Sequence, residues 1–183
     1  EAAAWYVDLF REREVTPPSA PSDGFSEIME GFRSGLTGML IHHVMSAAGH
    51  VDALGEENVA AVRVPEVAGS RWAEFGMHHY VVTKSSDNPD AAFTFASWMA
   101  EPEQATYYGH YVGAIPVIKN AGEVDPYFED NEFARVSAES AANAYLPPYI
   151  PTIGELWEQV WPARFQQALL GDITVEAMMT EFA

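Results

Sequence analysis

Two tryptophans stand four residues apart directly after a proline-rich stretch. The stretch reads PPYIPTIGELWEQVW, from Pro147 to Trp161, and it contains Trp157 and Trp161 out of five tryptophans in the chain. A flat aromatic ring can cover a patch of C–H groups on a ligand, while carboxylates, amides and imidazoles bond its hydroxyls. The alternative is that both rings are core, because large aromatic side chains are mostly buried packing.

The histidines could also do chemistry. Among the six histidines are two adjacent pairs, His42–His43 and His78–His79, and each pair lies at the end of a predicted strand. Successive residues of a strand point to opposite faces, so each pair is expected to offer one imidazole to a common site. Imidazole can bond hydroxyls or bind zinc, copper or nickel, but no spacing here matches a metal motif such as H-E-x-x-H.

Catalytic chemistry has little support in the sequence. There is no G-x-S-x-G nucleophile elbow and no glycine-rich phosphate or dinucleotide loop. A glycosidase needs two carboxylates across a cleft, yet with 27 acidic residues some pair always fits that requirement. The absence of cysteine excludes disulfides, thiolate metal sites and a cysteine nucleophile. We therefore predict no catalytic residue, no cofactor and no metal site.

The charge balance excludes two classes of partner. Acidic residues outnumber basic ones 27 to 9, which gives a formal net charge of −18. Binding to a nucleic-acid backbone needs a basic stripe, and docking on anionic lipid needs a basic patch, so neither partner is expected. The chain is 48% hydrophobic, which suffices for a packed core, and no apolar run approaches the roughly 20 residues that span a bilayer.

Hydrophobic periodicity and capping signals predict strands that alternate with helices. The predicted strands are 38–43, 59–67 and 76–86, and the predicted helices begin near residues 2, 25, 44, 89, 102, 127, 155 and 174. Pro162 lies inside the long helix 155–170. Its missing N–H and its clash with the carbonyl of Glu158 predict a kink there. The alternation predicts an α/β fold.

Two helices carry apolar stripes that predict core packing. In the helix after Gly24, the side chains of Phe25, Ile28, Met29 and Phe32 follow the spacing of one buried face. In the long helix, Trp161 shares a stripe with Phe165 and Leu169, which indicates core.

Five segments then occur in a recognisable order. They are FRSGLTGM, VVTKSSDNPDAAFTFASWMAEPEQ, GAIPV, PPYIPTIGELW and LLGDITVEAM. Together, over essentially the whole chain, they resemble the C-terminal half of the extracellular solute-binding proteins of sugar ABC importers, the group that contains maltose-binding protein. Two departures, HHVM and FGMHH, fall where this family binds its ligands, and they imply a ligand other than maltose.

The resemblance implies a type II periplasmic-binding-protein-like two-lobed α/β fold, of which this chain is the C-terminal portion only. Residues 1–75 would form the first part of the second lobe. Residues 76–116 would return to the first lobe, and residues 117–183 would complete the second lobe with C-terminal helices. Hinge crossings are then expected at 75–76 and 116–117, and the beginning at Glu1 suggests a fragment or processed part of a longer protein.

The resemblance also assigns site residues. It points to Trp157 as the ring that stacks on a sugar, and to His43 with His78 or His79 as partners of its hydroxyls. Three further ligand-binding candidates are Tyr149, Glu155 and Gly113, the last of which opens the G-x-x-P turn. The alternatives are a core role for Trp157, half-buried histidines satisfied by the protein, and a first-turn acid at Glu155 that complements the helix dipole.

The function implied is that of the extracytoplasmic substrate-binding component of an ABC importer. It would bind a mono- or oligosaccharide between the lobes as a monomer and deliver it to the membrane permease subunits. Lipid anchoring through the residues before Glu1 is left open. The alternatives are the same fold binding a metal ion or polyamine, which the acidic charge makes conceivable, and a carbohydrate-active hydrolase.

Overall fold

The computed structural model describes residues 1–66, 73–74, 76, 78–146 and 150–182. Its contacts group into two compact units, Glu1–Leu40 with Pro148–Ala183 as the first unit and Ile41–Pro147 as the second. The helices are α1 (Ala2–Arg11), α2 (Phe25–Arg33), α3 (Ala47–Leu54), α4 (Pro89–Met99), α5 (Pro102–Val112), α6 (Ala121–Val124), α7 (Tyr127–Asp130), α8 (Glu132–Ala141), α9 (Ile153–Glu155), α10 (Trp161–Leu170) and α11 (Val175–Thr180). Short 3₁₀ turns span Val44–Ser46 and Glu56–Asn58, a π turn spans Leu156–Val160, and the strands are β1 (Ala73–Glu74) and β2 (Ala144–Tyr145).

Local sequence signals set most helix starts. Pro89 and Pro102 open α4 and α5, where the missing proline N–H has no intrahelical partner to lose. Helix α11 begins after Thr174, whose hydroxyl oxygen accepts a hydrogen bond from the N–H of Ala177 at 3.1 Å. The starts predicted near these residues are confirmed.

The core of the first unit lies where α1, α10 and α11 meet. Val7, Ala168 and Met178 are buried there, one from each helix. Partly buried apolar side chains surround them, namely Ala3, Trp161, Phe165, Leu169, Ile173, Val175 and Phe182. The stripe predicted for the long helix is therefore confirmed as core.

The prediction that α2 buries its apolar stripe is wrong. None of the residues of α2 is buried, and Phe25 and Ile28 are 57% and 41% exposed. Helical periodicity fixes which side chains share a face of a helix, but it does not supply the surface that covers that face.

The α/β class is confirmed, although the sheet is small. Strands β1 and β2 pair in parallel, with Ala73 opposite Ala144 and Glu74 opposite Tyr145. The described residues of 38–43, 59–67 and 76–86 contain no paired strand, and both β1 and β2 lie outside these ranges. The three predicted strands are thus wrong for the described residues, because a strand needs a hydrogen-bonded neighbour and an apolar run cannot specify one.

In the second unit, α5 and the helices α6 to α8 pack in succession around buried Phe128, Ala134 and Thr106. The His110 ring stacks on Tyr127, with ring centroids 3.9 Å apart and planes at 11°. The imidazole Nδ1 of His110 lies 2.6 Å from Asp125 Oδ2, and Asp125 Oδ1 accepts a hydrogen bond from the N–H of Tyr127. One aspartate therefore ties the last turn of α5 to the start of α7.

Replacement of Met178 tests the core of the first unit. Met178 has no exposed surface, so Met178→Ala is expected to lower the free energy of unfolding by about 3 kcal/mol through lost burial and a cavity. The matched control is Met179→Ala, because Met179 is the next residue and is 43% exposed. Urea unfolding monitored by tryptophan fluorescence measures both, and equal losses in the two variants would contradict this core.

The Asp125 link predicts a pH dependence. The hydrogen bond from the Tyr127 N–H, and then the one shared with His110, lower the pKa of Asp125 below its ordinary value. A carboxyl with a lowered folded-state pKa stabilises the fold above its unfolded-state pKa, and the contribution is lost as pH falls through the folded-state pKa. Asp125→Asn is therefore expected to lower the melting temperature at pH 6, with the difference from wild type shrinking below about pH 4.

The control for this experiment is Asp87→Asn, since Asp87 is an exposed aspartate in a turn of the same unit. Thermal unfolding of the three proteins from pH 3 to pH 7 gives the comparison. A destabilisation by Asp125→Asn that is independent of pH would show that the carboxylate charge is not what holds α5 to α7.

Candidate functional site

Trp157 lies in the π turn Leu156–Val160, directly before α10. The predicted long helix is therefore interrupted beside Pro162, where the sequence predicts a kink. Proline has no N–H to close the usual helical hydrogen bond, and a single widened turn is a common way to accommodate the gap. The side chain of Trp157 is 52% exposed on this turn.

The two tryptophans of this segment have different surroundings. Trp161 stacks on Phe165, with centroids 5.8 Å apart and planes at 12°, and it also contacts Phe182 at 5.2 Å. The core role predicted for Trp161 is confirmed, whereas the ligand role of Trp157 stays a prediction.

Glu155 is exposed at the end of α9, two residues before Trp157. Tyr149 lies outside the described residues.

The predicted histidines lie in the second unit. His43 immediately precedes the turn Val44–Ser46, and the centroid of its ring is 4.2 Å from that of His42. The His42 ring is in turn 6.3 Å from that of buried His50. Buried Ser46 fixes this turn, because its Oγ donates to the backbone carbonyl of His43 at 2.9 Å and lies 2.7 Å from His42 Nδ1.

One expectation about the histidine pairs is wrong for His42 and His43. On a strand these two rings would point to opposite faces, but the segment 41–43 forms no strand and the rings lie side by side. Sequence reasoning missed Ser46 and His50 as neighbours of this pair. Their positions, four and eight residues after His42, are a helical spacing that would have identified them.

The electrostatics join His43 to His78. Partial loss of water around its ring lowers the pKa of His43 below the ordinary histidine value, and the nearby imidazoles of His42 and then His78 lower it further. His43 and His78 are thus close enough to influence each other, while His79 is exposed in the neighbouring extended segment.

Gly113 lies beside the same turn. It ends α5 with φ of +71°, and a Cβ built on it would stand 3.6 Å from Met45 Cα. The left-handed backbone explains glycine at this position without a ligand, so its predicted binding role rests on the resemblance alone. His43 and Gly113 thus lie at the turn Val44–Ser46, and His78 acts electrostatically on His43. Trp157 and Glu155 lie in the first unit.

The part of the chain that the structure describes contains neither a metal-binding cluster nor a membrane-spanning helix. No group of three or more histidine, aspartate or glutamate side chains there is arranged to hold a metal ion. Within the same described ranges, no helix is both long enough and apolar enough to cross a membrane.

A solved structure is similar to part of this chain. A structural similarity links this chain to an ABC substrate-binding protein from Listeria monocytogenes, solved in complex with cycloalternan, with 27% sequence identity and a TM-score of 0.47. The likeness covers 55% of this chain and 26% of that chain, so only about a quarter of that protein's length is spanned. A search of curated proteins gave no match.

The family comparison covers more of the sequence. The family model for bacterial extracellular solute-binding protein matches residues 1–135 of the 183. The resemblance found from the order of the motifs is thereby confirmed, and with it the solute-binding-protein type of α/β fold. The chain belongs to the bacterial extracellular solute-binding protein family.

Proposed function

We propose that this chain is part of the extracytoplasmic substrate-binding component of an ABC importer, and that the protein binds a mono- or oligosaccharide. The family supports a small-molecule ligand and an extracellular location. The observation that carries the choice of a sugar is Trp157, a large flat ring that is 52% exposed in a π turn while the nearby Trp161 is packed in the core.

Sugar recognition needs an aromatic face beside groups that bond hydroxyls. The ring of Trp157 would cover the C–H face of a sugar ring, and Glu155 would accept hydroxyl hydrogen bonds. A neutral imidazole has one nitrogen that donates and one that accepts, so His43 and His78 suit hydroxyl groups, which do both. Tyr149 and His79 complete the proposed set, and Gly113 would allow close approach of the backbone.

Closure over the ligand would come from two lobes. We assign residues 1–75 and 117–183 to the second lobe and residues 76–116 to the first, with hinge crossings at 75–76 and 116–117. Bending at a few such residues closes domains around ligands in periplasmic binding proteins, a standard example of hinge motion. The closed protein, as a monomer, would dock on the permease and release the sugar chemically unchanged, so no catalytic group or cofactor takes part.

A cationic ligand in the same fold is the second candidate, and the net charge of −18 is what favours it. A metal ion or polyamine would be attracted by the acidic surface wherever it bound. This candidate predicts stabilisation by cations, and a chelator would abolish the effect of a metal.

Replacement of Trp157 tests the proposal in the intact protein. A sugar at 100 times its dissociation constant should stabilise the fold by about 2.7 kcal/mol, which raises the melting temperature by several degrees. Trp157→Ala is expected to remove this shift, because it removes the stacking face. Thermal unfolding with a panel of mono- and oligosaccharides, metal ions and polyamines measures the effect.

The matched control is Trp98→Ala, since Trp98 is 47% exposed on α4 and is not among the proposed ligand residues. It should keep the full sugar-induced shift. A shift that survives Trp157→Ala would refute the stacking role, and a shift with cations but with no sugar would replace the proposed ligand by the second candidate.

A further inference from the structure

Four imidazoles form a histidine cluster, which we define as His42, His43, His50 and His78. The His42 ring lies 4.2 Å from His43 and 6.3 Å from His50, and His78 is close enough to act electrostatically on His43. Ser46 holds the turn that carries His42 and His43 through its two contacts with them. The rings of His42, His43 and His50 are thus packed beside one another.

The charges around the cluster could in principle offset this crowding. The acidic, basic and histidine side chains on the elements that pack here are Asp52 of α3, Glu56 and Glu57 of the adjoining 3₁₀ turn, Glu132, Arg135 and Glu139 of α8, and Glu103 and His110 of α5. Several of them are bonded elsewhere. Glu132 accepts from the N–H of Ala61, Arg135 pairs with Glu139 at 3.2 Å, and His110 pairs with Asp125.

The surroundings of His43 disfavour its protonated, charged form. Burial is the largest cause of its lowered pKa, and His42 and His78 follow in that order. A carboxylate that dominated the surroundings would raise the pKa instead. The charged groups of α3, α5 and α8 therefore do not reverse the combined effect of burial and of the two neighbouring imidazoles.

We propose that the histidine cluster makes ligand binding at this site depend on pH, so that the ligand is held while His43 is neutral and is released when His43 takes up a proton. This inference rests on the proposed function, since it names a regulation of the same site. It adds His42 and His50, which were not proposed to touch the ligand.

The mechanism follows from the hydrogen-bonding groups of imidazole. Neutral His43 can accept a hydrogen bond from a hydroxyl and donate another, whereas protonated His43 can only donate. Protonation thus removes the acceptor that the ligand uses. A charge on His42 would oppose the protonation of His43, because the centroids of the two rings are 4.2 Å apart.

The direction of the pH effect is fixed by the lowered pKa of His43. Its neutral form persists to lower pH in the folded protein than in the unfolded chain, where the ordinary value is about 6.5. The unfolded chain then binds more protons, so the stability that goes with neutral His43 is complete above that value and is lost as pH falls below it. Ligand affinity is expected to weaken in the same window or just below it.

The test measures proton uptake and sugar affinity in the intact protein. The NMR resonances of the imidazoles, followed from pH 8 to pH 4.5 without ligand, give the midpoint for each histidine. The dissociation constant of the most stabilising sugar of the panel is measured over the same range. Once the pH is below the His43 midpoint, the dissociation constant of the sugar is expected to rise about tenfold for each further unit that the pH falls.

The variant His42→Asn gives the sharpest result. Removal of one neighbouring imidazolium should move the His43 midpoint to higher pH, and the loss of sugar affinity should begin at correspondingly higher pH. His42→Gln serves as a second variant if the first does not fold. His110→Asn is the matched control, because His110 lies outside the cluster, and it should leave the pH profile of binding unchanged.

Two outcomes overturn the inference and are distinct from failure of the proposed function. Sugar affinity that is the same at pH 8 and pH 5 would refute it while leaving sugar binding intact. A His43 midpoint that is the same in wild type and His42→Asn would refute the coupling. Absence of sugar binding at pH 8 would contradict the proposed function and this inference together.

Discussion

Pro162 cannot donate a backbone hydrogen bond, and the different surroundings of Trp157 and Trp161 depend on how the helix accommodates that gap. In a regular α-helix, residues four apart lie on the same face, so both rings would be expected to point the same way. The π turn Leu156–Val160 adds a residue to one turn and changes the register between them. Trp161 then packs with Phe165 in the core, while Trp157 keeps half of its surface exposed.

Features that depend on residues close in sequence could be predicted from the sequence. Helix starts at Pro89, Pro102 and Thr174, and the core stripe of Trp161, depend on neighbours within a few residues, so their chemistry is readable locally. The family could also be predicted, because the order of several motifs carries more information than any one of them.

Features that depend on distant partners were not predictable in this way. The strands predicted at 38–43, 59–67 and 76–86 required hydrogen-bonded neighbouring strands, and the described residues of these ranges form no strand. The error carried over to the candidate site, since the strand rule placed His42 and His43 on opposite faces. Their rings are side by side because a turn held by Ser46, rather than a strand, positions them.

The site residues fit recognition better than reaction. In the proposed site, a stacking ring and imidazoles would bind a ligand through contacts that can all be broken again, which is what a carrier requires. The family assignment agrees with that chemistry, because its members bind solutes outside the cell. The net charge of −18 would attract cations in general, so it does not select a sugar.

Equilibrium dialysis of the intact protein against a mixture of oligosaccharides tests whether the protein binds a sugar without altering it. Chromatography of the retained fraction, with an assay for new reducing ends, follows the dialysis. We predict that one class of saccharide is retained saturably and is recovered at its original length, with no new reducing ends. Cleavage of the saccharide during the incubation would contradict the proposed binding function and establish a hydrolase instead.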